Sequence, residues 1–426
     1  MKNILKKAFG LARYPLAILA VWLVFLIVLW LSCGAAYGYP AFAAALGAAW
    51  FLWRRRARQG RRAAVWSGVA MGLALACLVY VLVPLAPSTL PPVPADASVQ
   101  LWPTHDGRQV AVYRYAADSA TDRHAALVFV HGGPGAYLRD FDRDFFAGFA
   151  HAGFDVVIYD QFGAGRSPLG DPAGYTHENN VKDLAAVLAR VDKPAVLVGQ
   201  SYGATLVTSA LARDDVRKRV THVVLSEPGR LPGGEVSIAR TMAEKTTRAP
   251  DATDTPSRAV IAKIAAPRAL LATLLPRGNG FVRQEELINL YAPDVQHLLV
   301  SSGFCKGDTA LLDSFRAERF NLLANVAINH DAIAAPTPDL RSLKAPVLLL
   351  MGECSYIPRG LAMQYFGVYP IARSQLFPGV GHILWGNAKG QALTRDAIVR
   401  FVDAAPAALP NEPTAASASQ FAQSGR

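Results

Sequence analysis

Three short stretches carry side chains capable of covalent chemistry. Gly199-Gln200-Ser201-Tyr202-Gly203 sets a serine between two glycines. His131-Gly132-Gly133-Pro134-Gly135 is a glycine-rich turn, and His382 lies in FPGVGHILWGN, residues 377–387. A serine hydroxyl is a weak nucleophile until a base takes its proton. The negative oxygen formed when it attacks a carbonyl needs fixed hydrogen-bond donors. Ser201 is the candidate nucleophile and His382 the candidate general base. The backbone N–H groups of Gly133 and Tyr202 are the candidate oxyanion donors. Gly199 and Gly203 suit a sharp turn in which a Cβ would meet neighbouring backbone. Gly163 and Gly165, in DQFGAGRS (160–167), lack the Lys-Ser/Thr ending of a phosphate loop and read as turn residues. Asp160 and Arg166 are expected to stabilise that turn.

These residues need rigid elements to aim them. Candidate strands are SVQLWP (98–103), QVAVYRY (109–115), ALVFVHG (126–132), DVVIYD (155–160), AVLVGQ (195–200), HVVLSE (222–227), PVLLLMG (346–352) and SQLFPG (374–379). Several are continuous apolar runs, which suits a parallel sheet covered on both faces. Helical patterns such as LRDFDRDFFAGFAHAG and NNVKDLAAVLARV lie between them, and the alternation predicts an α/β fold. Ser201 falls where a strand gives way to the helical ATLVTSALA, the setting of a strained strand-to-helix turn that exposes the serine. His382 alone of the nine histidines follows the last strand, in a turn ahead of a C-terminal helix. Residues 228–343 break the alternation and are expected to form a largely helical lid.

HGGPG, DQFGAGRS, GQSYGA (199–204) and Gly381-His382 together resemble the proline iminopeptidase-like family of α/β hydrolases. The resemblance spans about residues 98–403 and is weak over 228–343. It implies an eight-stranded, mostly parallel sheet with helices on both faces and a helical lid. It also implies hydrolysis of a peptide, amide or ester through an acyl-enzyme, without metal or cofactor. Phe162 stands where the family's DQRG has arginine, and Tyr202 where its elbow has tryptophan. The family's prolyl peptidases carry a lid Trp-Glu motif for the substrate's free amine. No tryptophan occurs here between Trp102 and Trp385, so the resemblance does not extend to selection of an N-terminal proline.

The third triad member is the other departure. The chain order implied by the fold is Ser, acid, His. The expected aspartate slot, in MGECSYIP (351–358), holds Ser355, which cannot stabilise an imidazolium electrostatically. Two carboxylates compete for the role. Glu227 ends the strand beside the elbow strand, and a glutamate is long enough to reach the same histidine; a triad is defined by geometry rather than by sequence position. Glu353 lies two residues before Ser355. Glu227 is preferred, with Glu353 the alternative.

The 426-residue chain is 52% hydrophobic and carries a net charge of +11. Ten of its 43 Lys/Arg residues, and none of its 32 Asp/Glu residues, precede Asp96. The remainder is balanced, so the charge does not call for a nucleic-acid partner. Residues 15–33, 41–53 and 64–86 are uncharged apolar runs, and about 20 helical residues cross a bilayer core. Basic clusters at Lys2–Arg13 and Arg54–Arg62 flank them and should remain cytoplasmic. The expectation is a multi-pass segment of three membrane helices (1–86) in a bacterial inner membrane; two spans with a cytoplasmic enzyme is the alternative, because the second run is short. A Pro-rich linker (87–97), a core (98–227 and 344–403) facing the periplasm, and a disordered tail (404–426) follow. Cys305 and Cys354 would then be free to pair.

The expectation is therefore a membrane-anchored serine hydrolase acting on a small-molecule or peptide substrate, in contact with membrane lipid. Two alternatives stand: a catalytically silent binding protein of the same fold, motivated by Ser355, and an acyltransferase with an acceptor other than water. Oligomeric state is not legible.

Overall fold

The computed structural model describes residues 95–234, 283–290, 303–305 and 319–409, with a few isolated positions before residue 95. The three expected membrane spans, most of the lid and residues 410–426 lie outside the described residues. Among the described residues no helix is long and apolar enough to cross a membrane. Contacts divide the chain into two units: residues 1–90 with 262–290, and residues 91–261 with 291–426. In the first, the described part is a helix over 284–290, from which Asn289 donates to the Thr89 carbonyl at 3.0 Å. Part of the stretch assigned to the lid thus groups with the N-terminal segment rather than with the sheet.

The second unit is built on eight strands: β1 (Val99–Pro103), β2 (Gln109–Tyr115), β3 (Ala125–Val130), β4 (Phe154–Asp160), β5 (Ala195–Gln200), β6 (Val220–Ser226), β7 (Val347–Gly352) and β8 (Ala372–Phe377). They form one sheet in the order β1-β2-β4-β3-β5-β6-β7-β8. β2 pairs antiparallel with β1 and β4, and every other pairing is parallel. The central strands send alternate residues into two separate cores. Val128 and Val130 of β3 and Leu197 of β5 join one; Leu127, Phe129, Val196 and Val198 join the other. This two-sided burial is the reason the strands read as unbroken apolar runs.

Helices cover both faces. α1 (Asp140–Ala147) buries Phe141, Phe145 and Phe146 in the second core. α2 (His177–Ala189) starts at Thr176, whose hydroxyl accepts from the Asn179 N–H at 3.1 Å, an ordinary N-cap. α3 (Tyr202–Ala210) follows the elbow, and α4 (Leu322–Ala334) is capped by Asn321. α5 (Ala388–Val402) is capped by Asn387, which accepts from the Gly390 N–H at 2.7 Å. Residues 319–334, read from sequence as lid, pack onto the strand-end loops. Asn325 donates to the Pro134 carbonyl at 2.7 Å and Asn321 to the Gly163 carbonyl at 2.8 Å. All the predicted strands form, with ends shifted by at most two residues.

Candidate active site

Every candidate site residue lies at the carboxyl end of a strand, where ligands bind in open α/β sheets. Ser201 follows β5 with φ 55° and ψ −119°, a conformation L-residues rarely adopt. The tightness of the turn shows in its glycines. A Cβ on Gly203 would lie 2.1 Å from the Val130 carbonyl oxygen, and one on Gly199 would lie 2.6 Å from that of Gly203. The Ser201 N–H donates to the Ser226 carbonyl at 2.9 Å, which ties the elbow to the end of β6. Tyr202 is the first residue of α3, where N–H groups have no intrahelical acceptor. Across the crevice the Gly132-Gly133 turn follows β3, with Gly133 at φ 50°. Gly132, Gly133, Gln200, Ser201, Tyr356 and His382 line one cavity.

His382 is carried by the loop after β8 and is 5% exposed. Neighbouring Trp385 fixes that loop to α1: its indole N–H donates to Asp142 at 2.6 Å, and its ring stacks on Phe145 at 5.4 Å between centroids. His382 Nδ1 faces two groups. Glu227 Oε2 is 3.5 Å away and Ser355 Oγ 3.4 Å away. Glu227 is 2% exposed, and its other carboxylate oxygen accepts from the Gly352 N–H. Like Ser201, Glu227 has a positive φ, 47°, so both ends of the β5–β6 pair turn sharply into the crevice. Glu353, the alternative, points elsewhere. It is exposed and its carboxylate accepts from the Gly379 N–H at 2.7 Å. Consecutive residues leaving a strand face different ways, and two positions suffice to send Glu353 to the surface while Ser355 turns inward.

Three features were not read from the sequence. Gln200 Nε2 lies 3.1 Å from His382 Nε2, so this amide, adjacent to Ser201, occupies the nitrogen that a serine nucleophile must reach. The Tyr356 ring lies 4.4 Å from the imidazole, and burial pushes its phenol up to about 12, with the Glu227 carboxylate adding in the same direction. The third is a buried polar cluster behind the Gly132-Gly133 turn, joining His131, Gln161, Asn180, Tyr202 and His177. A signal for Tyr356 existed in its place beside Ser355; Asn180 and Gln161 gave none, since their roles depend on contacts far apart in the chain. Cys305 and Cys354 are disulfide-bonded, which links residues 303–305 to the loop bearing Ser355 and Tyr356. Asp160 is structural, as expected: its carboxylate accepts from the Leu138 N–H at 2.7 Å and the Arg166 N–H at 2.9 Å. Among the described residues no cluster of His, Cys, Asp or Glu could hold a metal ion.

A model described as the alpha/beta hydrolase family matches residues 127–393. The chain belongs to that family. Among curated relatives, the proline iminopeptidase of Lactobacillus delbrueckii subsp. lactis is 27% identical over 289 residues, covering 66% of this chain and 92% of the relative. The proline iminopeptidase of Thermoplasma volcanium is 34% identical over 97 residues, covering 22% and 31%. Among solved structures, proline iminopeptidase of Mycobacterium smegmatis is similar with a TM-score of 0.47 and 19% identity, covering 72% of this chain and 98% of that one. An esterase from Exiguobacterium antarcticum is similar with a TM-score of 0.47 and 16% identity, covering 71% and 98%.

Proposed function

We propose that this alpha/beta hydrolase is a membrane-anchored serine hydrolase that cleaves a peptide, amide or ester bond through an acyl-enzyme. The observation that carries the reading is the convergence at one crevice of a serine on a strained strand-to-helix turn, a buried histidine and a buried glutamate. His382 Nε2 faces the amide of Gln200, the residue before Ser201, and Nδ1 faces Glu227 and Ser355. In the reaction, Ser201 Oγ attacks the carbonyl carbon as its proton passes to His382 Nε2. The Gly133 and Tyr202 N–H groups receive the oxyanion. Nδ1–H, directed at Glu227, keeps the tautomer that leaves Nε2 free to accept, and the carboxylate stabilises the imidazolium. His382 then gives the proton to the leaving group, and water repeats the sequence to release the acid and restore Ser201.

Distances of 3.4 and 3.5 Å at Nδ1 are long for a hydrogen bond, and triad bonds often shorten only when substrate is bound. For Ser201 to reach Nε2, the Gln200 amide must swing away. The relatives' names favour an aminopeptidase-like substrate, while the missing tryptophan of the lid motif argues against selection of N-terminal proline. Labelling of the full chain with a fluorophosphonate tests the reading: wild type should be labelled and Ser201→Ala should not. A folded wild type that resists labelling would sink it.

The anchor rests on the three apolar runs before residue 87 and their flanking basic clusters. Placement of the catalytic unit in the periplasm draws support from the Cys305–Cys354 disulfide, since such bonds persist in oxidising compartments. A reporter fused after Ala95 checks the topology; activity confined to the cytoplasm would reject three spans.

A further inference from the structure

The polar cluster behind the Gly132-Gly133 turn links the two segments assigned here as oxyanion donors, and its hydrogen-bond directions can be worked out. The Gln161 backbone N–H donates to His131 Nε2 at 3.0 Å, so that nitrogen carries no proton. His131 Nδ1–H then donates to the Gly132 carbonyl at 2.9 Å. Burial pushes His131 down to about 4, in keeping with a neutral ring. The Gln161 side-chain amide nitrogen donates to the His131 carbonyl at 2.8 Å, which leaves Gln161 Oε1 as an acceptor. Asn180 Nδ2 lies 3.3 Å from that Oε1 and 3.2 Å from Tyr202 Oη. One hydrogen of the Asn180 amide goes to each. The Tyr202 hydroxyl is then free to donate to His177 Nδ1 at 3.0 Å, and His177 Nε2–H to Ser209 Oγ at 2.7 Å.

Asn180 is 1% exposed, and its own carbonyl oxygen has no hydrogen-bond partner among the described residues. A buried acceptor without a partner is costly. The side chain is therefore present for its two donors, and they join residues from different elements. Gln161 holds the His131 end of the turn that carries Gly133. Tyr202 is the residue whose backbone N–H opens α3. An oxyanion hole works when its donors are spaced in advance for the transition state, and a shift of a fraction of an ångström weakens it.

We propose that Asn180 is the positioning residue of the oxyanion hole, setting the spacing between the Gly133 and Tyr202 N–H groups through its bonds to Gln161 and the Tyr202 hydroxyl. This rests on the serine hydrolase reading. It does not touch substrate, so its removal acts on the transition state more than on ground-state binding.

The test uses the full chain with a p-nitrophenyl ester, Asn180→Leu, Tyr202→Phe and their combination. Loss of transition-state stabilisation should lower kcat by about tenfold or more and leave KM within about twofold. Affinity for a phenylboronic acid, which forms a tetrahedral adduct on the serine, should fall by the same factor as kcat/KM. The double variant should be no worse than the worse single one, because both cut the same link. A lower Tm with kcat and boronate affinity unchanged would make Asn180 merely structural and overturn the proposal. If Asn180→Leu does not fold, Tyr202→Phe, which retains the ring, decides by the same readouts. Fluorophosphonate separates the two levels. An inert wild type overturns the hydrolase reading and this proposal with it. A reactive wild type whose kcat and boronate affinity are matched by both variants overturns this proposal alone.

Discussion

The two flanks of Ser201 are built in different ways. On the oxyanion side, β3 and β5 lie side by side, and the loops at their ends are tied through a buried network whose bonds run from 2.7 to 3.3 Å. On the acid side, His382 Nδ1 stands between Ser355 and Glu227 at 3.4 and 3.5 Å, and Nε2 is taken by Gln200 at 3.1 Å. The oxyanion side carries HGGPG and GQSYG, two of the motifs behind the family resemblance, at the ends of adjacent parallel strands. On the acid side Ser355 stands where that resemblance implies an aspartate, and a carboxylate lies 3.5 Å from the histidine at the neighbouring strand end. The first flank is held by main-chain geometry, in which a single Cβ is intolerable at Gly203, together with the buried side-chain network behind it. The divergent flank is fixed by side chains, which can be exchanged one at a time provided that a carboxylate arrives at the same imidazole nitrogen.

The largest expected effect probes that exchange. Glu227→Gln should lower kcat by about 1,000- to 10,000-fold, as removal of a triad member does. Glu353→Gln should leave it near wild type, because that carboxylate is bonded to the Gly379 N–H at the surface. Ser355→Asp introduced into the Glu227→Gln chain should recover part of the loss, since Ser355 Oγ is already 3.4 Å from Nδ1. Steady-state kinetics on a p-nitrophenyl ester reads all three. Near-normal turnover in Glu227→Gln would remove the carboxylate from the mechanism. On the other flank, Gly203→Ala should abolish activity or folding, because its Cβ would lie 2.1 Å from the Val130 carbonyl oxygen. Soluble expression and fluorophosphonate labelling would reveal a tolerated alanine.

The contrast also marks what could be read in advance. The central strands were legible because each is a run of residues buried on both faces, and the elbow because glycines flank a serine between a strand and a helix. Glu227 was legible as a candidate from its place at the end of β6, and Glu353 could be set beside it but not eliminated. Which of the two turns inward depends on backbone angles beyond the strand, such as φ 47° at Glu227, that no periodicity encodes. Asn180 and Gln161 looked like ordinary polar residues because their partners lie at least 19 positions away along the chain. Residues 319–334 read as lid, and their bonds from Asn321 and Asn325 to the Gly163 and Pro134 carbonyls join positions too far apart in the chain for the pattern to show.

A moderate effect distinguishes the flanks by redox state. Reducing the Cys305–Cys354 bond, or replacing Cys354 with serine, frees the loop that bears Ser355 and Tyr356. A crosslink closing a loop of this size contributes about 2–4 kcal/mol, so Tm should fall by several degrees. Turnover should fall further in the acid-side variant Glu227→Gln than in wild type, since both changes loosen His382. Equal activity with and without reductant would mean that the loop is held without the disulfide.

Acid titrates the other flank. Burial pushes both His131 and His177 down to about 4 from 6.5. The unfolded chain therefore binds more protons at these sites between those values. Their contribution is complete above about pH 6.5 and is lost as pH falls toward 4. Asp160, pushed up to about 6 by its burial, works in the opposite sense: its cost to stability grows as pH rises from 3.8 through 6. Two histidines against one aspartate leave a net loss on acidification, and Tm should be several degrees lower at about pH 5 than at about pH 7. A flat profile would mean that the two rings stay accessible to protons without unfolding.

The smallest expected effect lies where the flanks meet. Gln200 precedes Ser201, and its amide lies on His382 Nε2, so the serine hydroxyl has to displace it before the base can act. Gln200→Ala removes the competitor. The fluorophosphonate reaction should then quicken by a few-fold, roughly the effect of losing one exposed-strength hydrogen bond of about 1 kcal/mol. Gln200 also packs against the opposite flank: a Cβ on Gly132 would lie 2.1 Å from Gln200 Oε1. If that packing is its main role, the alanine leaves the Gly132-Gly133 turn less supported and labelling slows instead. The sign of this one change therefore tells whether Gln200 belongs to the rigid flank or to the adaptable one.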